Sequence, residues 1–379
     1  MTADDLLFIS VGSAAAQVAR RTVMRSQLPM RTLVLDTDDA TLQCIPPTTG
    51  MSTFIFGTQR LGGRGTGGDP RLGEGALRDD LANLMNQVGA PRLAVVLTCC
   101  GGGTSAATRL LLSALHDQGI VTVCFATIPF AFEGDETRQN ANRLLPVLEN
   151  SSDALARISL EALLESSPAS LSIQESFEYV ADRLGAGLSL LWSLLLKSSY
   201  LAFDIEHFRR LLMENGAICL PFYFADVTAE GPDRAQEIVR QMIASKRFMQ
   251  GGINRLEHAT EVLIGVLAGE DLRLNELSLL MDGVKGFCKS VKKTLLGTSL
   301  LPEMQGQLTV VLFAFGVPTA DVVEKVDAAT PIQPTKSRKV KKSTLKSSAD
   351  PFADVESTIF NGQNLDEPTY QRRGIRLMR

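Results

Sequence analysis

In its first third, the chain alternates short apolar segments with longer segments of helical periodicity, and this alternation constrains the fold more than any other feature. Such alternation builds βαβ units and therefore a parallel sheet. Strands are predicted over residues 6–11, 32–36, 93–98 and 120–127, and helices over residues 14–25 and 104–118. Because ligands bind at the carboxyl ends of parallel strands, a binding site is expected in the loops after these strands.

The middle of the chain predicts a long helix followed by a second domain. Residues 173–197 carry an apolar stripe that includes Trp192, whose ordinary role is core packing. Beyond it, predicted strands and helices alternate again. The expected fold class is therefore α/β, with a Rossmann-like parallel-sheet domain (residues 1–172), a central helix (173–200) and a second, smaller α/β domain (201–317).

The C-terminal part differs from the rest in charge. The whole chain has a formal charge of −4, but residues 331–379 hold ten Lys and Arg against five Asp and Glu. Residues 318–363 have too few apolar side chains to offset their ordering entropy, so a disordered linker is predicted there. Residues 364–379 regain Leu, Tyr, Ile and Met, which is typical of a short docking peptide after a linker.

Composition argues against several classes of function. A net charge of −4 does not favour a general nucleic-acid binder, so no nucleic-acid partner is expected. The six cysteines are scattered without a CxxC pair, and the three histidines lie far apart. Reduced, buried thiols in a cytoplasmic protein are therefore expected, and no zinc site.

The strongest local signal is the glycine-rich turn of residues 99–107 (CCGGGTSAA), which we call the signature loop. It follows a buried strand and precedes a helix. Glycines let the backbone turn tightly and direct its N–H groups at an anion, and the helix adds its positive N-terminal dipole. The loop therefore predicts a phosphate site, although a plain strand-to-helix turn explains the same residues.

Two familiar nucleotide motifs do not fit. The loop after the first strand, Val11–Gln17 (VGSAAAQ), lacks the GxGxxG pattern of dinucleotide enzymes. No GK[ST] follows the glycines, so the signature loop is not a Walker loop either. A soluble Rossmann oxidoreductase is therefore disfavoured.

Several motifs, in the same order along the chain, resemble those of the FtsZ/tubulin GTPases. The signature loop is similar to the GGGTGTG loop of that family, and residues 127–134 (TIPFAFEG) resemble its T-x-P-F-x-F-E-G segment. Further similarities are the loops DTD (36–38) and GGRGTGGDP (62–70), then GPDRA (231–235), AGEDLRL (268–274) and GTSL (297–300), and finally the terminal LDEPTY (365–370).

The resemblance implies a mechanism as well as a fold. Subunits of this family stack head to tail into filaments, GTP sits on one subunit, and a loop of the next subunit completes the hydrolytic site. The implied ligands are GTP and GDP, with Mg²⁺ held through the phosphates. The implied partners are further copies of the chain and, through residues 364–379, a membrane adaptor of FtsA type or an anionic membrane. The implied location is the division site at midcell.

Site residues follow by matching motifs. Phe177 matches the aromatic residue that stacks on guanine, and Asp182 the carboxylate that reads its N1–H and amine. A core aromatic and a solvated charge are the alternatives for these two residues. The remaining implied nucleotide contacts are Gly12, Ser13, Gly101, Gly102, Gly103, Thr104, Ser105, Pro129, Glu133 and Arg138.

The chain departs from the family pattern at several of these positions. The first loop carries alanines where the family has glycines, and each added Cβ restricts positive φ and close approach of a phosphate. The signature loop ends in Ser105, Ala106 and Ala107 instead of Gly-Thr-Gly. Arg138 lies one position beyond the arginine that usually faces the phosphates, and Thr137 stands at the matching position.

The implied catalytic loop departs most. Its family form is N-x-D-x-x-D, but here residues 202–207 read AFDIEH, so that Asp204 stays and His207 replaces the second acid. A neutral histidine can accept a proton, because its reference pKa is about 6.5, but it supplies no fixed negative charge. Glu206 is the neighbouring alternative. The sequence thus predicts a GTPase that forms filaments, with a structural filament protein that hydrolyses nothing as the alternative.

Overall fold

The structure is a computed structural model that describes residues 3–26, 28–46, 48–164, 171–196, 220–244, 249–250, 253–254, 257, 259–315, 359–360 and 363–364. The chain divides into two compact units, Met1–Val322 and Val323–Arg379. In the second unit, the described residues form a two-residue hairpin, Ile359–Phe360 with Gln363–Asn364. The rest of the predicted linker and docking peptide lies outside the described residues.

The first unit is organised around a single ten-stranded sheet in the order β11-β10-β12-β7-β6-β5-β4-β1-β2-β3. The segment from β3 to β7 is parallel, whereas β12 is antiparallel to both β7 and β10. The strands are β1 (Leu6–Val11), β2 (Thr32–Asp36), β3 (Met51–Ile55), β4 (Leu93–Cys99), β5 (Val121–Ile128), β6 (Ala154–Ser159), β7 (Leu220–Glu230), β8 (Met249–Gln250), β9 (Ile253–Asn254), β10 (Glu261–Ala268), β11 (Lys293–Leu300) and β12 (Gln307–Phe315).

Helices cover the sheet on both faces, which explains why its central strands are continuous apolar runs. Helices α1 and α8 pack on one face of the parallel part, and α4, α5 and α6 on the other. The helices are α1 (Ser13–Arg25), α2 (Asp39–Gln43), α3 (Thr58–Leu61), α4 (Pro70–Val88), α5 (Ala107–Asp117), α6 (Asp135–Glu149), α7 (Leu160–Leu164), α8 (Ile173–Leu196), α9 (Arg234–Ala244) and α10 (Leu274–Phe287).

Helix α8 is the predicted central helix, and it contacts both halves of the sheet. Trp192 is buried and donates its indole N–H to the Pro29 carbonyl at 3.1 Å. Toward the other half, Leu194 lies so close to Gly265 of β10 that a Cβ at Gly265 would come within 2.1 Å of it. By length and composition α8 could cross a membrane, but 61% of its most apolar window is buried inside the fold.

Two sequence expectations need correction. Strands β3, β6 and β11 and helices α4 and α6 were not predicted. The five described cysteines are free, as expected, but Cys44 is exposed rather than buried. Strands from both sides of residue 173 join one sheet. The boundary proposed between the two domains stays a prediction.

Candidate nucleotide site

A cavity of about 440 Å³ lies between α1 and α8 at the carboxyl ends of β4 and β5, and we call it the α1–α8 cavity. This is the edge of the sheet where the sequence predicted a site. Its lining combines apolar and polar side chains. The lining residues are Ala14, Gln17, Val18, Arg20, Arg21, Cys99, Cys100, Thr127, Pro129, Glu133, Leu160, Gln174, Phe177, Glu178, Val180, Ala181 and Leu184.

The signature loop packs tightly against its neighbours at one point and is open at another. A Cβ on Gly103 would come within 2.4 Å of the Thr66 hydroxyl oxygen and 2.6 Å of the Asp69 carbonyl. A Cβ on Gly102 would meet no atom of the described residues within 4 Å. Gly101 has a φ of +116°, and Asn140 of α6 donates to its carbonyl at 3.3 Å. The loop therefore has a fixed base and an accessible tip.

A hydrogen bond between two hydroxyl groups joins the signature loop to the loop after β2. The Oγ1 atoms of Thr104 and Thr37 are 2.9 Å apart. The Thr37 carbonyl in turn accepts the Gly65 N–H at 3.1 Å. The loops that follow β2, α3 and β4 thus support one another at the same edge of the sheet.

Asp36, the last residue of β2, holds the turn that carries Thr37. Its Oδ1 accepts the N–H groups of Thr37 at 2.7 Å and Asp38 at 3.3 Å. Its buried Oδ2 has no hydrogen-bond partner within the described part of the chain. Burial raises the pKa of Asp36, and the two backbone donors oppose that effect. A buried carboxylate with one unpaired oxygen is costly.

The alanines of the first loop do not cause the backbone strain that the sequence suggested. Ser13 begins α1, so Ser13, Ala15 and Ala16 have helical backbone, and the positive φ of +92° falls on Gly12. Ala15 and Ala16 are fully buried in the core. The first N–H groups of a helix have no partner within it, so the start of α1 can accept an anion.

The end of the signature loop is also free of backbone strain. Ala106 and Ala107 have φ values of −63° and −62°, which any L-residue adopts easily. Ser105 donates its hydroxyl to the Gly102 carbonyl at 2.6 Å. The three residues that replace Gly-Thr-Gly therefore form a helical turn without strain.

Three phenylalanines form a cluster that includes one wall residue of the α1–α8 cavity. Phe130 and Phe132 stack with centroids 4.9 Å apart, and Phe177 meets Phe130 edge-on at 5.3 Å. Phe177 lines the cavity and is 40% exposed, so it is not the core aromatic of the alternative interpretation. Pro129 and Glu133 form part of the same wall. The Glu133 carboxylate accepts the Phe130 N–H at 2.8 Å, and burial raises its pKa.

Asp182 already has partners on α1. Its Oδ1 accepts a 2.9 Å hydrogen bond from Arg21 Nε, and Arg25 lies 3.7 Å away. Asp182 is therefore not an unpaired helix charge, although its side chain stays 48% exposed. Of the predicted nucleotide contacts, only Pro129, Glu133 and Phe177 are among the residues lining the cavity. Asp182, Arg138 near the start of α6, Gly12, Ser13 and residues 101–105 are not. The individual roles of the predicted nucleotide contacts remain predictions.

Sequence reasoning missed several polar residues of the cavity wall. Gln17, Arg20 and Arg21 lie within five residues of one another on α1, and Gln174 and Glu178 lie four residues apart on α8. Helical periodicity alone places residues 17 and 21 on one face, and that signal was available. Cys99 also lines the cavity, and burial raises the pKa of its thiol to about 11, so the thiol is neutral at physiological pH.

The predicted catalytic residues Asp204, Glu206 and His207 lie outside the described residues. Among the residues that are described, no group of three or more His, Cys, Asp or Glu side chains could hold a metal ion.

Comparison with known proteins places the whole arrangement in a family. Residues 15–168 match the GTPase-domain model of the Tubulin/FtsZ family, and residues 227–318 match the C-terminal-domain model of the FtsZ family. The chain belongs to the tubulin/FtsZ family of GTPases, as a divergent member.

Individual relatives agree with this assignment at low identity. The mitochondrial division protein fszA of Dictyostelium discoideum is 28% identical over 67% of this chain, which spans only 48% of that protein. The cell division protein FtsZ of Pseudomonas putida is 26% identical over 82% of this chain and 75% of that protein.

Solved structures show the same fold. An FtsZ dimer from M. jannaschii matches with a TM-score of 0.72 at 22% identity, covering 83% of this chain and 88% of that one. The GTPγS-bound protofilament of CetZ2 from Haloferax volcanii matches with a TM-score of 0.69 at 19% identity, covering 84% and 95%.

Proposed function

We propose that this chain binds GTP in the α1–α8 cavity, assembles head to tail with copies of itself and hydrolyses GTP at the junction between subunits. The observation that carries the proposal is the layout of the cavity. Cys99 and Cys100, which begin the signature loop, and Ala14 in the first turn of α1 line the cavity together with the partly exposed Phe177. A nucleoside triphosphate needs main-chain donors for its phosphates and an aromatic face for its base.

The phosphates are assigned to the Gly101–Thr104 backbone and to Gly12 and Ser13, whereas Glu133 faces the ribose. Gly102 has open space beside it, so a phosphate oxygen can approach the backbone there. The described residues offer no carboxylate cluster for a metal. As the family resemblance implies, magnesium is assigned to the phosphates, where it would neutralise charge during phosphoryl transfer.

Hydrolysis is assigned to a loop that a neighbouring subunit contributes. Asp204 of that loop would orient the attacking water, and His207 or Glu206 would stand where the family has its second acid. A histidine cannot supply the negative charge that the second acid of the family supplies, so turnover is expected to be slow.

A single experiment separates this proposal from a structural filament protein. The purified protein is incubated with GTP and Mg²⁺ over a range of protein concentrations, and phosphate release and sedimented polymer are measured. Turnover that rises steeply with concentration, and that is lost in Asp204→Asn while GTP binding is retained, supports a shared site. The exposed Asp117→Asn at the end of α5 is the matched control. Polymer without bound nucleotide or phosphate release contradicts the proposal and favours the structural alternative.

In the cell, we propose a cytoplasmic division protein that assembles at midcell, as the names of its FtsZ relatives suggest. Residues 364–379 would recruit a membrane adaptor of FtsA type or contact anionic lipid through their four arginines. Deleting residues 364–379 should abolish recruitment and leave assembly in solution unchanged. Loss of assembly would contradict the assignment of residues 318–363 as a linker.

A further inference from the structure

A second cavity, of about 190 Å³, lies on the other face of the sheet, between the N-terminal halves of α4 and α5 and residues 140–147 of α6. We call it the α4–α6 cleft. Gly102 and Ser105 close one end of it, so it adjoins the signature loop but shares no lining residue with the α1–α8 cavity. Because Gly102 and Ser105 are also among the implied nucleotide contacts, the cleft is best tested in the absence of nucleotide.

The charges around the cleft favour an anion. Two arginines, Arg109 and Arg143, line it together with one acid, Glu74. Arg109 is paired with Glu74 at 2.6 Å, whereas Arg143 makes no ion pair with any residue that the structure describes. The cleft also lies near the N-terminal ends of α4 and α5, where backbone N–H groups add positive potential.

Apart from the polar Asn140, the rest of the lining is apolar. It is formed by Leu144 and Val147 of α6 together with Pro70 and Ala106. A cavity of about 150 Å³ is known to hold benzene, so the α4–α6 cleft has room for a six-membered ring with one substituent. A hydrated inorganic ion would leave this apolar wall unused.

The geometry points to a binding site for a small organic acid, with the carboxylate on Arg143 and Arg109 and the hydrocarbon part against Leu144 and Val147. A guanidinium presents two parallel donors that match a carboxylate. Glu74 competes for Arg109, so the natural ligand must displace or share that contact. The site borders the loop assigned to the phosphates, but its recognition groups, on Arg109, Arg143 and the apolar part of α6, are not among the residues assigned to the nucleotide.

The test uses the full-length protein without nucleotide and isothermal titration with three probes. Benzoate should bind saturably at one site, whereas neutral benzamide and inorganic phosphate should each bind at least about tenfold more weakly, because each lacks one half of the recognition. Failure to see saturable benzoate binding, or equal binding of benzamide or phosphate, overturns the proposal.

Variants then locate the site. Arg143→Ala should weaken benzoate at least about tenfold, whereas Arg71→Ala, which removes the same charge from α4 without touching the cleft, should leave it unchanged. Glu74→Gln should strengthen benzoate binding, because it frees Arg109. Thermal unfolding confirms that each variant is folded. Unchanged affinity in Arg143→Ala, or no gain in Glu74→Gln, contradicts the assigned roles.

Discussion

Asp182 on α8 and Arg21 on α1 form an ion pair, with Oδ1 of the carboxylate 2.9 Å from Nε of the guanidinium. The carboxylate that the family resemblance assigns to the guanine base is thus oriented by a cation from the opposite wall of the cavity. The next residue, Arg183, donates to Asp226 of β7 at 2.8 Å. Consecutive residues of α8, with charges of opposite sign, therefore pair with helix α1 and with strand β7.

The first prediction concerns this ion pair. Asp182→Asn should lower the free energy of unfolding by less than about 1 kcal/mol, because the carboxylate is half exposed and exposed pairs contribute little. Its effect on ligands should be larger. A carboxylate can accept both the N1–H and the amine of guanine, so the variant should lose much of its preference for GTP over ITP, which lacks the amine. Competition binding measures the ratio.

Arg25→Ala is the matched control, because Arg25 lies 3.7 Å from Asp182 and is half exposed. It should change neither stability nor the GTP to ITP ratio. If the ratio is also unchanged in Asp182→Asn, Asp182 does not read the base and serves only to hold Arg21.

The second prediction contrasts two neighbouring glycines. Gly103→Ala places a methyl group within 2.4 Å of the Thr66 hydroxyl oxygen, so it should cost about 1–3 kcal/mol of stability without any nucleotide present. Gly102→Ala meets open space and should unfold at the wild-type temperature, but it should weaken GTP by obstructing the phosphates. Thermal unfolding and nucleotide titration of both variants check this. Equal GTP affinity in Gly102→Ala and wild type would place the phosphates elsewhere.

Strands and helices with strong local patterns were predictable from the sequence. The bounds of β1 and β2 match the prediction and α8 begins at the predicted residue 173, because each is a continuous apolar run or a long amphipathic stripe. β3 was missed because its side chains are partly exposed and give no apolar run. α6 contains Pro146, and such a residue normally argues against a helix interior.

The site was predictable in its location but not in its contacts. Gly-rich and aromatic motifs identified the loops, yet the sequence alone suggested that the alanines of the first loop would strain it. That expectation was wrong, because the helix starts one residue earlier and gives all three alanines helical backbone, with Ala15 and Ala16 in the core and Ala14 on the cavity wall. The Arg21–Asp182 pair joins residues 161 positions apart, a separation for which local patterns carry no signal.

The third prediction concerns the buried Asp36. Its pKa is raised, so the ionised carboxyl is disfavoured in the fold, and stability is lost as the pH rises from the unfolded-state pKa through the folded-state pKa. Asp36→Asn keeps an acceptor for the Thr37 and Asp38 N–H groups and removes the charge. The variant should therefore gain stability over the wild type at pH 8, and the gain should disappear near pH 4.

Thermal unfolding of both proteins across this pH range measures the effect. Asp39→Asn, which removes an equal charge from the exposed start of α2, is the control and should show no comparable gain. A variant that is less stable than the wild type at pH 8 would mean that the Asp36 charge has a stabilising partner in the fold.

The fourth prediction tests how α8 is seated on the second half of the sheet. A methyl group at Gly265 of β10 would come within 2.1 Å of Leu194, so Gly265→Ala should cost about 1–3 kcal/mol. Leu194→Ala alone removes a buried side chain and should cost about 2–5 kcal/mol. In the double variant the new methyl occupies part of the space that Leu194 vacates, so the combined loss should be smaller than the sum. Urea unfolding of the four proteins gives the coupling, and strict additivity would show that α8 does not rest on β10 at this point.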